Sequence, residues 1–227
     1  MKTEVIPFVA GRKWFEVRNA TATSADLFLY DEIGVFGVTA ADFITMLNGL
    51  KVRVLNVHIN SPGGSVFDGL AIHNALNALP AEVVVYVDGI AASIASVIAM
   101  AGDEIIMAQN AMMMIHCPSC GVMGYAGDLR KQADVLDVLE GNLVSIYAAR
   151  TGMAPDELRT AMQAETWFTA EQCKANGFCT SVVAAKKIAA HFDLTAFRNA
   201  PTLSSPEENK TPPLSLLLMK QSLLEKQ

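Results

Sequence analysis

Residues 52–100 read VRVLNVHINSPGGSVFDGLAIHNALNALPAEVVVYVDGIAASIASVIAM, and the order of elements in this stretch decides the fold. Val52 to Ile59 is a strand-like run that alternates for part of its length and ends in the turn residues Asn60-Ser61-Pro62-Gly63-Gly64-Ser65. Val66, Leu70, Ala71, Ala75 and Leu79 then recur near helical phase, which predicts a helix over Val66–Leu79, stopped by Pro80. A β-branched strand over residues 82–88, a turn at Gly89 and a short helix from about Ser93 to Met100 complete the pattern. Strands alternating with helices imply right-handed crossovers and a largely parallel sheet, so the fold class is α/β.

Working outward, Phe15–Arg18 and Asp26–Tyr30 are further strand-like runs upstream. Between the second of them and Val52, a helix over Thr39–Leu50 has Thr39 as its cap and Phe43, Ile44, Met46 and Leu47 as its apolar stripe. Downstream come strands at Ile105–Ala108 and Met112–Ile115, then one long helix from Gly127 to Ala149. Its stripe of Leu129, Ala133, Leu136, Leu143 and Tyr147 is widened by Val135, Val138, Leu139 and Ile146, which suits packing against a second subunit. Short helices follow at Pro155–Met162 and Ala170–Asn176, the latter ended by Gly177. The chain thus divides into one domain over residues 1–195, a polar, proline-bearing flexible linker over 196–213 and a short amphipathic tail over 214–227.

With 227 residues, 52% hydrophobic and only 18% charged, the chain is neither disordered nor long enough for two large cores. Net charge is −6 without clusters of Lys or Arg, which excludes an ordinary nucleic-acid binder. The most apolar run, Val83 to Ala101, approaches bilayer length but is interrupted by Asp88-Gly89, so it is read as a buried strand, turn and helix rather than a membrane span. Residues 1–5 lack the apolar core of a signal peptide, and four cysteines do not make a disulfide scaffold; a cytoplasmic setting is expected.

Three pieces can carry chemistry. The Ser61–Ser65 turn joins a strand to a helix and can present free backbone N–H groups to an anion. Gly89-Ile90-Ala91-Ala92-Ser93 places a serine among small neighbours at a strand–helix corner, where nucleophiles are often held. His116 ends an apolar strand at the sheet edge where α/β proteins build their sites.

Taken together, Ile59-Asn60-Ser61-Pro62-Gly63-Gly64, Gly89-Ile90-Ala91-Ala92-Ser93, Ala101-Gly102 and Met114-Ile115-His116, in this order, resemble the Clp-type (ClpP) serine protease family. Phe168-Thr169-Ala170-Glu171 with Gly177-Phe178 also matches the family's closing helix. Trp14–Asn19, Tyr30–Gly34, Val66–Ile72 and Ala164–Ala170 look like the branch of ClpP-like head maturation proteases of tailed phages. The resemblance implies a crotonase-like spiral of ββα units, a protruding handle helix over 127–149 and homo-oligomeric rings. It implies Ser93 as nucleophile, His116 as general base, and the N–H groups of Gly64 and Ile94 as the oxyanion hole. The family's third catalytic residue, an aspartate, falls on Thr166, with Glu165 one position before it. Either Thr166 serves as a neutral orienter or a carboxylate arrives from elsewhere.

The resemblance thus leads to an ATP-independent serine endopeptidase that needs no cofactor or metal and processes capsid or scaffold proteins in the prohead of the host cytoplasm, with neither nucleic acid nor membrane as partner. Alternatives are a cellular Clp subunit working with an AAA+ unfoldase, a catalytically reduced scaffold subunit, and an acyl-CoA enzyme on the same fold. A zinc or redox site at His116, Cys117 and Cys120 is a further rival, weakened because Cys173 and Cys179 are not at ligand spacing.

Overall fold

A computed structural model describes residues 15–34, 39–185, 192 and 194–201. The expected tail over 214–227 and most of the linker lie outside the described residues, as do Trp14 and His191. Eight strands form one sheet: β1 (Phe15–Arg18), β2 (Ser24–Leu29), β3 (Val54–Ser61), β4 (Glu82–Ala92), β5 (Glu104–Ala108), β6 (Met112–Ile115), β7 (Thr166–Thr169) and β8 (Ser181–Val183). Among the described residues six helices are interleaved with these strands: α1 (Ala40–Gly49), α2 (Val66–Asn77), α3 (Ile94–Ala99), α4 (Ala126–Thr151), α5 (Pro155–Gln163) and α6 (Ala170–Ala175).

The main path runs β1-β2-β3-β4-β5-β8, parallel except for the β1–β2 hairpin. Strand alternation does what the sequence asks: Leu27, Leu29, Leu55, Val57 and Ile59 are buried, while their neighbours Phe28, Asn56 and His58 face the other side. Phe43 and Leu47 of α1, with Ile72 and Leu76 of α2, cover the buried face. Thr39 and Asp42 form a reciprocal capping box on α1, and Ser65 caps α2.

The expected turn at Gly89 is not there: β4 continues as strand to Ala92. Its first half pairs with β5 and its second half, Ile90 to Ala92, with β6. Between the halves the register with β3 slips, and the Asn60 side chain enters the gap and accepts the Ile90 N–H at 3.1 Å. A Cβ on residue 89 would stand 2.6 Å from Asn60 Oδ1, so glycine is required for close approach rather than for a turn. The corner falls at Ser93 instead.

Helix α4 is 26 residues long, yet its buried side chains, Leu139, Leu143, Val144 and Tyr147, all lie in its second half. Residues 119–131 are exposed, and among the described residues nothing covers the apolar side chains of Met123 (99% exposed), Tyr125 (87%) and Val138 (66%). No helix among the described residues is long and apolar enough to cross a membrane.

An apolar surface of this kind is covered when copies associate. Sedimentation velocity at micromolar concentration is expected to show an oligomer, and the double variant Met123→Glu/Val138→Glu a shift toward smaller species. A stable wild-type monomer would show that this surface has no such role.

Candidate active site

Strands β3, β4 and β6 are parallel, so their C-terminal ends converge on one edge of the sheet. Beyond β4, Ser93 adopts φ 55° and ψ −130°, a conformation that costs a non-glycine residue about 1–3 kcal/mol. It is held there by its own N–H, which donates to Met114 O at 2.9 Å, and by the Ser96 hydroxyl, which donates to Ser93 O at 2.6 Å. The bend turns the Ser93 side chain to His116, at the end of β6, and Oγ stands 2.7 Å from Nε2. Burial lowers the His116 proton affinity below the ordinary histidine value; nearby Glu165 acts against this shift and Arg198 reinforces it. A neutral imidazole bonded to a serine hydroxyl is placed to take its proton.

The Ser61–Ser65 turn packs directly on this corner. A Cβ on Gly63 would come within 2.7 Å of Ser93 Cβ and 2.8 Å of Ala92 O, so the approach needs glycine. Ile33 donates to Gly63 O at 2.7 Å and accepts from Ser65 N at 2.9 Å. In such a parallel bridge the N–H of the intervening Gly64 points away from Ile33, toward the cleft that Gly64 lines. Ile94 is the first residue of α3, so its N–H has no helical acceptor. The cleft measures about 260 Å³ and is lined by Pro62, Gly64, Ser93, Ile94, His116 and Phe197, among others.

Thr166 is not where an orienter of His116 would be: its hydroxyl donates to Ala161 O at 2.7 Å. Among the described residues the only hydrogen bond of the His116 ring is the one to Ser93. Glu165 takes a left-handed backbone (φ 50°) and is 4% exposed. Its carboxylate accepts the N–H groups of Arg198 (3.0 Å) and Asn199 (2.6 Å). Burial pushes this carboxyl up, but the Asn199 and Arg198 amides, the Trp167 indole and His116 together hold it below the usual carboxylate range. Residues 196–201, assigned by composition to a flexible linker, therefore pack on the site. Phe197 sets its ring against both His116 (5.7 Å between centroids) and Trp167 (5.8 Å).

Comparison with known proteins decides the family. The family model described as Clp protease matches residues 10–186. The chain belongs to the Clp protease family. This is a family of serine peptidases that assemble into homo-oligomeric rings and cleave proteins.

Its relatives include the ATP-dependent Clp protease proteolytic subunit 3 of Rhodococcus jostii, 35% identical over 142 residues, which are 61% of this chain and 70% of that protein. A proteolytic subunit of Bacteroides fragilis is 29% identical over 187 residues, 75% of this chain and 89% of that one. The solved structure of a ClpP1 variant from Listeria monocytogenes superposes with a TM-score of 0.61 at 22% identity, over 70% of this chain and 91% of that one, a likeness of fold. The relatives named here are cellular Clp subunits, and the phage branch, the prohead setting and the capsid or scaffold substrates expected from sequence find no support in them. The motifs that carry the family, around Gly63, Ser93 and His116, are demanded by the site's geometry. Of the pieces taken for the phage branch, Trp167 packs against Phe197 beside Glu165.

The remaining candidates have structural roles in this Clp fold. Cys117 and Cys120 are not joined to Cys173 and Cys179, which are buried. Burial and a hydrogen bond with Glu140 push the Cys117 thiol up to about 12, so it stays protonated and unreactive at neutral pH. Among the described residues no three His, Cys, Asp or Glu side chains group as metal ligands. His73 is buried between Val97 O and the Asn77 amide. His58 is stacked between Phe28 and Tyr86 and bonded to Asp88, which also accepts from Tyr30. Sequence reading missed Glu32, Tyr147 and Phe197 as cleft residues. Tyr147 bonds Ser96 at 2.7 Å and so braces the serine corner from α4, a contact across 51 residues with no local signal.

Because burial keeps His116 neutral below the ordinary value of 6.5, labelling of Ser93 by a fluorophosphonate is expected to keep more than half its plateau rate at pH 6.5. A midpoint of the acid limb above pH 6.5 would contradict the burial seen here.

Proposed function

We propose that the chain is the proteolytic subunit of a Clp-type peptidase, cleaving unfolded polypeptides through an acyl-enzyme on Ser93. The observation that carries this reading is the 2.7 Å Ser93–His116 pair beside two cleft-lining backbone amides. Ser93 Oγ attacks the peptide carbonyl carbon while His116 Nε2 takes the hydroxyl proton. The carbonyl oxygen becomes an oxyanion that accepts from the Gly64 and Ile94 N–H groups, each such donor contributing about 3 kcal/mol in the transition state. His116 returns the proton to the leaving amine, and water, activated by His116, hydrolyses the ester.

The relatives' names, ATP-dependent subunits, favour a partner that unfolds substrates at the expense of ATP over unassisted prohead processing. Four unpaired cysteines fit a reducing cytoplasm. An acyl-CoA enzyme on the same fold would need the two turns but not a serine bonded to a histidine.

Ser93→Ala and His116→Ala are each expected to lower peptide hydrolysis by ~10⁴ to 10⁶ with the melting temperature preserved. More than a few per cent of wild-type turnover in Ser93→Ala would remove Ser93 from the mechanism. Degradation of an intact folded substrate without an ATP-driven unfoldase would argue against the partnered form.

A further inference from the structure

Resting on the Ser93–His116 reading, we propose that Glu165 is the carboxylate that supports His116, and that the backbone of residues 197–199 is the device that holds it in place. The register of β6 and β7 ends with Ile115 opposite Thr166, so the next step sets His116 and Glu165 side by side across the two strands. Thr166 has turned its hydroxyl to Ala161 O, while the left-handed φ of Glu165 re-aims the chain just before β7. The carboxylate is buried, and among the described residues no Lys or Arg side chain bonds it. Its partners are the Arg198 and Asn199 amides and, at 3.5 Å, the Trp167 indole.

A buried carboxylate held only by neutral donors keeps its charge uncompensated until a cation forms beside it. His116 becomes that cation when it takes the Ser93 proton. No hydrogen bond joins the two residues, so Glu165 acts on the imidazolium through space and is a positioning residue. Phe197, packed on His116 and on Trp167, fixes the imidazole while the next two amides fix the carboxylate, and Asn199 Nδ2 ties the segment down on Ala164 O at 2.7 Å. The other ionisable groups around His116 are Arg198, Cys117 with Glu140, and Glu32 and Tyr147 on the cleft wall.

The test is the rate of fluorophosphonate labelling of Ser93 against pH in the full chain, with thermal melting as a fold check. Glu165→Gln is expected to slow labelling by at least ~10-fold. It should also move the acid limb to lower pH, because the charge that favours protonated His116 is gone. Asn199→Pro, which deletes one amide donor and leaves the carboxylate, should slow labelling severalfold; a wild-type rate would overturn the part assigned to residues 197–199. Glu165→Gln with a wild-type profile, or slowed with its acid limb unmoved, would overturn the role of Glu165. So would a limb that moves in Thr166→Val and not in Glu165→Gln. Failure of the wild type to label at all would instead overturn the Ser93–His116 reading itself.

Discussion

One strand serves two partners, and the site exists because of it. β4 gives its first half to β5 and its second to β6, and between the halves its register with β3 slips by two residues at Asn60. Had β4 ended at Gly89, Ser93 would not lie beside the end of β6. Continued to Ala92, which stands opposite Met114, it delivers Ser93 one step further on, its N–H donating to the Met114 carbonyl two residues from His116. The alignment of Ser93 with His116 is thus a consequence of a backbone ladder, not of flexible side chains finding each other.

That ladder also stabilises the strain at Ser93. A positive φ at serine is unfavourable by about 1–3 kcal/mol, so it persists only where neighbours over-determine it. Here they do: Ile90–Ala92 are paired with β6, Ser96 of α3 holds the Ser93 carbonyl and is itself braced by Tyr147 of α4, and Gly63 closes over Cβ with no room for a side chain. A corner built this way is fixed by backbone, and Gly64 and Ile94 line the cleft beside it.

Much of this was legible in the sequence, and what was not has a physical reason. Helices α1, α2 and α4 announce themselves through stripes and caps, because those signals are local. Ser93, His116 and the glycine pair could be read because chemistry and close approach restrict residue type at those places. The extension of β4 through Gly89 was hidden, since a glycine needed for clearance reads the same as one needed for a turn. β7 and β8, of four and three residues, are too short to show a period. The packing at the start of the expected linker, residues 197–199, carries no compositional signal, because two of its contributions are the Arg198 and Asn199 backbone N–H groups, which any residue but proline carries. Family alignment likewise pointed to Thr166, because a shift of one residue through a left-handed φ at Glu165 leaves no mark in an alignment.

The dimensions of the cleft limit what the chemistry can act on. At about 260 Å³ it lies at or below the ~300–1,000 Å³ usual for sites that enclose a small molecule. Only a side chain or two of a polypeptide fit beside Ser93; the rest must run outward as extended chain. A folded domain cannot present its backbone in that form, because its carbonyls are committed to its own ladders and helices. On the proposed reading, the cleft at Ser93 therefore favours unfolded substrate before any partner is considered. An unfolding engine would supply the one thing that a pocket of this size cannot do for itself.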